Sequence, residues 1–345
     1  MMVHRAGTRA AAAGCLVALV GPARAGTPRN TPAAIDVDRD DAPAGRIGFG
    51  FDGGEPVDAW GVSLAGAWLE RPIEIPAGAF GAGARASQPV RRRQTLAFGA
   101  AIALGDRIVL DVRLRGSHQV GERLAAAGDP APLARFVFHD LRFGGRIRVA
   151  GNASRAAFLR AELTLPTGDD AQLAGDARWT AAWSLLGRAR LPHEITVAAT
   201  AGIRLHGAEV VVGDRLVGDE LFGAAGIAVP LPIDPLNSLT GPVQATAELI
   251  GSYGDHVGTR AGPDPLEARL GVQLQPRQGF AVGVHAGFGL DDQIGAPAFR
   301  AVIEFGWTPQ LAHRPDPVTP EPGDDSDDDS SDPDGSPTAS ITPPS

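Results

Sequence analysis

The chain contains no lysine, and all 31 of its basic residues are arginine. Usage this one-sided reflects a coding bias, so no single arginine is read as chosen over lysine for its chemistry. Cysteine occurs once, at Cys15, and tyrosine once, at Tyr253. One cysteine so close to the start leaves no disulfide framework and no thiol chemistry for the rest of the chain. Aromatic residues make up only 6% of the total. Long apolar runs are missing too: no stretch approaches the roughly 18 residues that a membrane-spanning helix needs. Segments with a sustained period of 3.6, the mark of helical α/β enzymes, are also absent. Basic residues are lacking at the C-terminal end, where residues 316–345 carry nine acids and no base. The net charge of −9 therefore belongs to that end, and the remaining 31 acids balance the 31 arginines. Such a balance gives no support to a nucleic-acid partner.

Catalytic and metal-binding signatures are equally scarce. The eight histidines are scattered, with no HExxH and no pair at ligand spacing. There is no GxSxG, and His285 has no serine near it in its own strand or the next. Asp324 to Asp334 are carboxylate-rich but lack EF-hand spacing, and a disordered acidic tail is the expectation for residues 310–345. These observations imply no enzyme, no metal and no cofactor.

What the chain does have is alternation, 45 glycines and 29 prolines, with 43% apolar residues and a mean hydropathy of −0.03. The stretch Arg277 to Pro309 shows the unit most clearly. Phe280, Val282, Val284, Ala286, Phe288 and Leu290 fall on one side of an extended chain, opposite Ala281, Gly283, His285, Gly287 and Gly289. After a turn, Phe299, Ala301, Ile303, Phe305 and Trp307 alternate with Arg300, Val302, Glu304 and Gly306. Each half runs about ten residues, the length of a tilted membrane-spanning strand and well above the roughly five or six of a soluble one.

The same unit repeats through the chain. Apolar faces begin at Trp60, Leu96, Ile108, Leu141, Ala157, Trp179, Ile195, Leu221, Val243 and Leu266, which with the final pair predicts twelve strands. Connections alternate as well. They are long near residues 70–93, 116–137, 166–176, 206–216, 251–264 and 291–298, and mostly short between, with the Pro-rich 230–242 as the exception. Short turns on one side, long loops on the other and an even strand number predict an all-β fold, a transmembrane antiparallel β-barrel over residues 57–309. Ahead of it, residues 1–25 read as an export signal, with His4, Arg5 and Arg9 before an apolar run and Ala23-Arg24-Ala25 at the cleavage site. Residues 26–56 read as a periplasmic lead-in. The outer membrane is the expected location and its lipid the expected surroundings.

Charges take the other parity. Asp111, Arg113, Arg115, Asp140, Arg142, Arg146, Arg148, Arg160, Glu162, Arg178, Arg204, Glu248, Glu267, Arg269, Arg300 and Glu304 are the candidate lumen-facing residues, ten arginines against six acids. Sixteen charges of one parity fix which face meets water, since each would cost roughly 2–4 kcal/mol at the bilayer midplane. They either pair across strands and plug the barrel or line a narrow wet pore with excess positive charge, passing small solutes or anions. Arg91-Arg92-Arg93 falls in the first long loop, where it would meet lipopolysaccharide phosphates or water.

From Leu141 to Pro309 the chain resembles the Gram-negative outer-membrane barrels described as OmpA-like or porin-like transporters. Leu165-Pro166-Thr167-Gly168, Gly295-Ala296-Pro297-Ala298-Phe299-Arg300 and Trp307-Thr308-Pro309 carry the resemblance. It implies a channel or, as the alternative, a closed structural or interaction barrel; an outer-membrane hydrolase is the third class. Many such proteins continue into Asp-rich repeats and a peptidoglycan-binding domain. Gly323 to Gly335 is at most a degenerate trace of the repeats, so wall anchoring is not carried over.

Overall fold

The computed structural model describes residues 60–75, 87–105, 107–122, 131–152, 154–176, 178–212, 215–233, 243–254, 265–274, 280–291 and 295–308. The expected export signal, lead-in and acidic tail lie outside them. The described strands are β1 (Trp60–Ile75), β2 (Ser87–Leu104), β3 (Ile108–Gly121), β4 (Phe136–Phe138), β5 (Leu141–Gly151), β6 (Arg155–Leu165), β7 (Thr180–Arg190) and β8 (Thr196–His206). They continue with β9 (Val210–Val212), β10 (Arg215–Val217), β11 (Glu220–Leu231), β12 (Val243–Gly254), β13 (Leu266–Leu274), β14 (Phe280–Gly289) and β15 (Phe299–Trp307).

Twelve of these pair antiparallel in a closed ring. The order is β1, β2, β3, β5, β6, β7, β8, β11, β12, β13, β14, β15, and β15 returns to β1 with Val62 opposite Trp307 and Glu70 opposite Phe299. Closure leaves the membrane-spanning backbone with partners on both sides, which a bilayer requires. The short β4 continues the line of β5 and pairs with β3 at Gly116–His118, and β9 with β10 forms a small hairpin in the connection from β8 to β11.

Side chains sort by parity as the alternation predicts. Phe98, Leu114, Leu163, Leu185, Leu270, Val284 and Ile303 are exposed on the outer surface, where bilayer hydrocarbon replaces water as the solvent. Aromatic rings gather at the seam that closes the ring: Trp307 meets Trp60 edge-on at 4.9 Å and stacks on Phe280 at 6.0 Å.

The wall is uneven. β1, β2 and β3 have 16, 18 and 14 residues, whereas β13 and β15 have nine each. The sequence reading placed residues 70–93 in a loop; the structure instead puts Arg91, Arg92 and Arg93 inside β2. A run of three charges looks like a solvated loop, yet in a strand it needs only to alternate. Arg91 and Arg92 are exposed and Arg93 is fully buried, with a register shift between Val90 and Arg92 in the pairing with β3.

Candidate functional site

Fifteen of the sixteen predicted residues point away from the lipid-facing surface and lose nearly all or much of their exposure. Asp111, Arg113, Arg115, Asp140, Arg142, Arg146, Arg160, Glu248, Glu267, Arg269, Arg300 and Glu304 are buried. Arg148, Glu162 and Arg204 are half-buried. Arg178 departs from the pattern: it lies ahead of β7 and is exposed. Parity carries a residue inward only while the chain is paired, and Arg178 precedes the pairing.

Two ion clusters organise the interior. In the first, Arg160 on β6 holds Asp111 on β3 with hydrogen bonds of 3.0 and 3.2 Å and reaches Glu162 at 3.2 Å. Arg113 and Arg142 stand 3.8 Å from Asp111 and Glu162 respectively. Asp111 and Glu162 flank Gly144 of β5 in the register. A Cβ at Gly144 would lie 2.6 Å from Arg160 Nη2, so only glycine lets the guanidinium cross above β5.

The second cluster centres on Glu267 of β13. Its Oε1 accepts from Arg269 Nε at 2.7 Å and Arg300 Nε at 3.0 Å. Beside it, His285 stands 4.0 Å from Glu304 and 3.5 Å from Thr246 Oγ1. On β8, Arg204 pairs with Glu220 and its guanidinium lies 5.0 Å from the Phe222 ring centroid. Between the clusters is a small cavity of about 60 Å³, lined by Arg160, Ser184, Arg204, Phe222, Glu267 and Arg269 among others.

Arginine dominates β3, β5 and β6, whereas Glu220, Glu248, Glu267 and Glu304 sit on β11 to β15. Paired guanidinium and carboxylate groups of this kind hold each other in place.

Sequence reasoning missed a group of five buried polar side chains near the outer end. Arg93 and Gln119, opposite each other on β2 and β3, bond through Arg93 Nη2 and Gln119 Oε1 at 2.8 Å. Below them, Ser117 Oγ is 2.6 Å from His139 Nε2 and 2.8 Å from Thr95 Oγ1. A serine beside a histidine is a nucleophile-like contact, but both are buried and Ser117 shares its hydroxyl with Thr95, so the three form a structural network. No group of three or more His, Cys, Asp or Glu placed to hold a metal occurs among the described residues.

No protein-family model matches the chain. No curated protein sequence matches it either. Among solved structures it is similar to the COG4313 outer membrane channel from Pseudomonas putida F1, at 15% identity with a TM-score of 0.51, over 76% of this chain and 99% of that one. It also aligns with the KdgM porin, at 8% identity and a TM-score of 0.42 over 72% of this chain and 99% of the other. The NanC porin aligns at 4% identity and a TM-score of 0.45, over 72% of this chain and all 100% of that one. The closed twelve-stranded ring with apolar exterior and charged interior is that of an outer-membrane β-barrel.

Proposed function

We propose that this barrel is a porin-like channel that passes small solutes or ions, with the inward-facing arginines and acids as its lining. The observation that carries the reading is the cavity between the two ion clusters, into which Arg160, Glu162, Arg204, Glu267 and Arg269 bring charge from both sides. Its fold likeness to an outer membrane channel supports the same class. The predicted lining, with Arg178 set aside, holds nine arginines against six acids, and an excess of fixed positive charge favours anions. Exposed Arg91 and Arg92, near the outer end of β2, add a rim that lipopolysaccharide phosphates would meet.

A second reading, a closed structural barrel, has one observation in its favour: the segment Pro166–Asp176 lies against the inner wall near the outer end. Purified protein in a planar bilayer separates the two. Discrete conductance steps, with a reversal potential in a KCl gradient of the anion-selective sign, are the expected result. A silent membrane containing folded protein would favour the closed barrel.

A further inference from the structure

The connection from β6 to β7 starts at the outer end, where loops ordinarily rise into water and satisfy their backbone there. This one turns inward. Arg93 Nη2 donates to the Leu173 carbonyl at 2.7 Å, and Gln119 Nε2 donates to the Gln172 carbonyl at 2.9 Å. Both donors share the face of Thr95, Ser117 and Asp111, opposite the lipid-facing Leu96 and Leu114. The contact is therefore made inside the ring. The loop begins on β6, and Arg93 sits on β2, so the segment crosses β5 and β3 to reach it.

A second anchor holds the ends of the loop. Asp140 is fully buried, with Oδ1 accepting from the Gly168 N–H at 2.7 Å and Oδ2 from the Asp176 N–H at 2.6 Å. Gly175 presses against the same carboxylate: a Cβ there would fall 2.6 Å from Asp140 Oδ1. Backbone shape agrees with the anchoring. Leu173 has φ 59° and ψ 33°, a left-handed conformation that costs a bulky residue energy and persists only where contacts impose it. Leu173 and its neighbour Ala174 are buried.

We propose that Pro166–Asp176 is the constriction of the channel, with Arg93 and Asp140 as the positioning residues that hold it. The segment narrows the outer mouth on the side of β2, β3 and β5. Passage is left to the opposite side, along the cavity beside Arg204, Phe222 and Glu267. This inference rests on the channel reading above and assigns the element that sets the solute size limit. Asp140, expected from parity to line the pore, serves instead as an anchor for backbone amides.

The test uses the full chain and three variants: Arg93→Leu, which removes the donor; Gly175→Val, which crowds Asp140; and a shortened loop lacking Asp169 to Ala174. Folding is checked first by the heat-dependent gel shift of intact barrels, and the shortened loop serves if the point variants fail to fold. Single-channel conductance should at least double in each folded variant, and liposome swelling should admit sugars that the unaltered protein excludes. Arg93→Lys, which restores a donor, should stay near the unaltered conductance. Silent unaltered protein with conducting variants would also support the constriction, in a fully closing form, and would overturn only the reading of a standing open channel. A conducting unaltered protein whose folded loop-shortened variant keeps the same conductance and size limit would overturn the constriction while leaving the channel intact. Silence from every folded form would overturn both.

Discussion

Arg160 of β6 binds Asp111 of β3 across the whole width of β5, Nη1 to Oδ2 at 3.0 Å and Nη2 to Oδ1 at 3.2 Å. Two-point contacts between guanidinium and carboxylate fix orientation as well as distance, and both side chains are nearly fully buried. Asp111→Asn, Arg160→Gln and the double variant form a cycle, and the coupling should be about 0.5–3 kcal/mol. Urea unfolding in lipid vesicles, followed by tryptophan fluorescence, measures it. Additive effects of the two single changes would show that the pair does not couple the strands. Gly144→Val should be as damaging as either single change, because its side chain would occupy the path of the guanidinium.

Lipid-facing and inward positions should respond differently to a charge. Leu163 and Ile303 are exposed on the outer face near mid-strand. Leu163→Arg or Ile303→Arg should cost about 2–4 kcal/mol if the position sits near the midplane. Ser184→Glu on the inner face, opposite Arg160 in the register and beside the cavity, should cost clearly less. The heat-dependent gel shift compares them, and equal losses from both faces would contradict the assignment.

Selectivity should depend most on β5. Arg146 sits opposite Arg160 in the register, with its guanidinium 5.5 Å from the Phe158 ring centroid, and Arg148 follows on the same strand. Arg146→Gln with Arg148→Gln removes two positive charges from the wall richest in arginine. The reversal potential in a KCl gradient should move toward cation preference. The shift should shrink as salt rises, because screening shortens from about 10 Å at 0.1 M to about 3 Å at 1 M. Unchanged selectivity in the double variant would place the controlling charges elsewhere.

The strands were legible because a period of two with one apolar face leaves little choice in a membrane. The expected face of β15, Phe299 to Trp307, matches the observed strand residue for residue, and that of β13 begins at Leu266 as the strand does. The upper half of β2 was not legible, because its outer face carries Gln94, Arg92 and Arg91 instead of apolar residues. Above the hydrocarbon layer the pressure that writes the alternation is gone. Much of the candidate lining was readable from charge parity alone, and Arg178 shows where that rule lapses. The inward loop left no trace in the pattern. Its anchors bond to backbone atoms, which have no sequence identity, and Arg93 meets Leu173 across a separation of 80 residues. The glycines beside Asp140 were visible but had no stated partner until the fold brought them together.

The unequal strand lengths have a consequence for how molecules of this protein meet one another. Along β1, pairing with β15 stops at Glu70, yet the strand continues to Ile75. An upright panel of sheet with a free side is a template on which a neighbouring chain can add its own strand. Here both sides of the panel are finished. β4 covers β3 at Gly116–His118, and on β1 the backbone twists at Arg71, with φ 47°, before Pro72, whose nitrogen has no hydrogen to offer. The tall side of the barrel thus offers no long unbroken strand edge at these positions, a device that disfavours edge-to-edge pairing between copies.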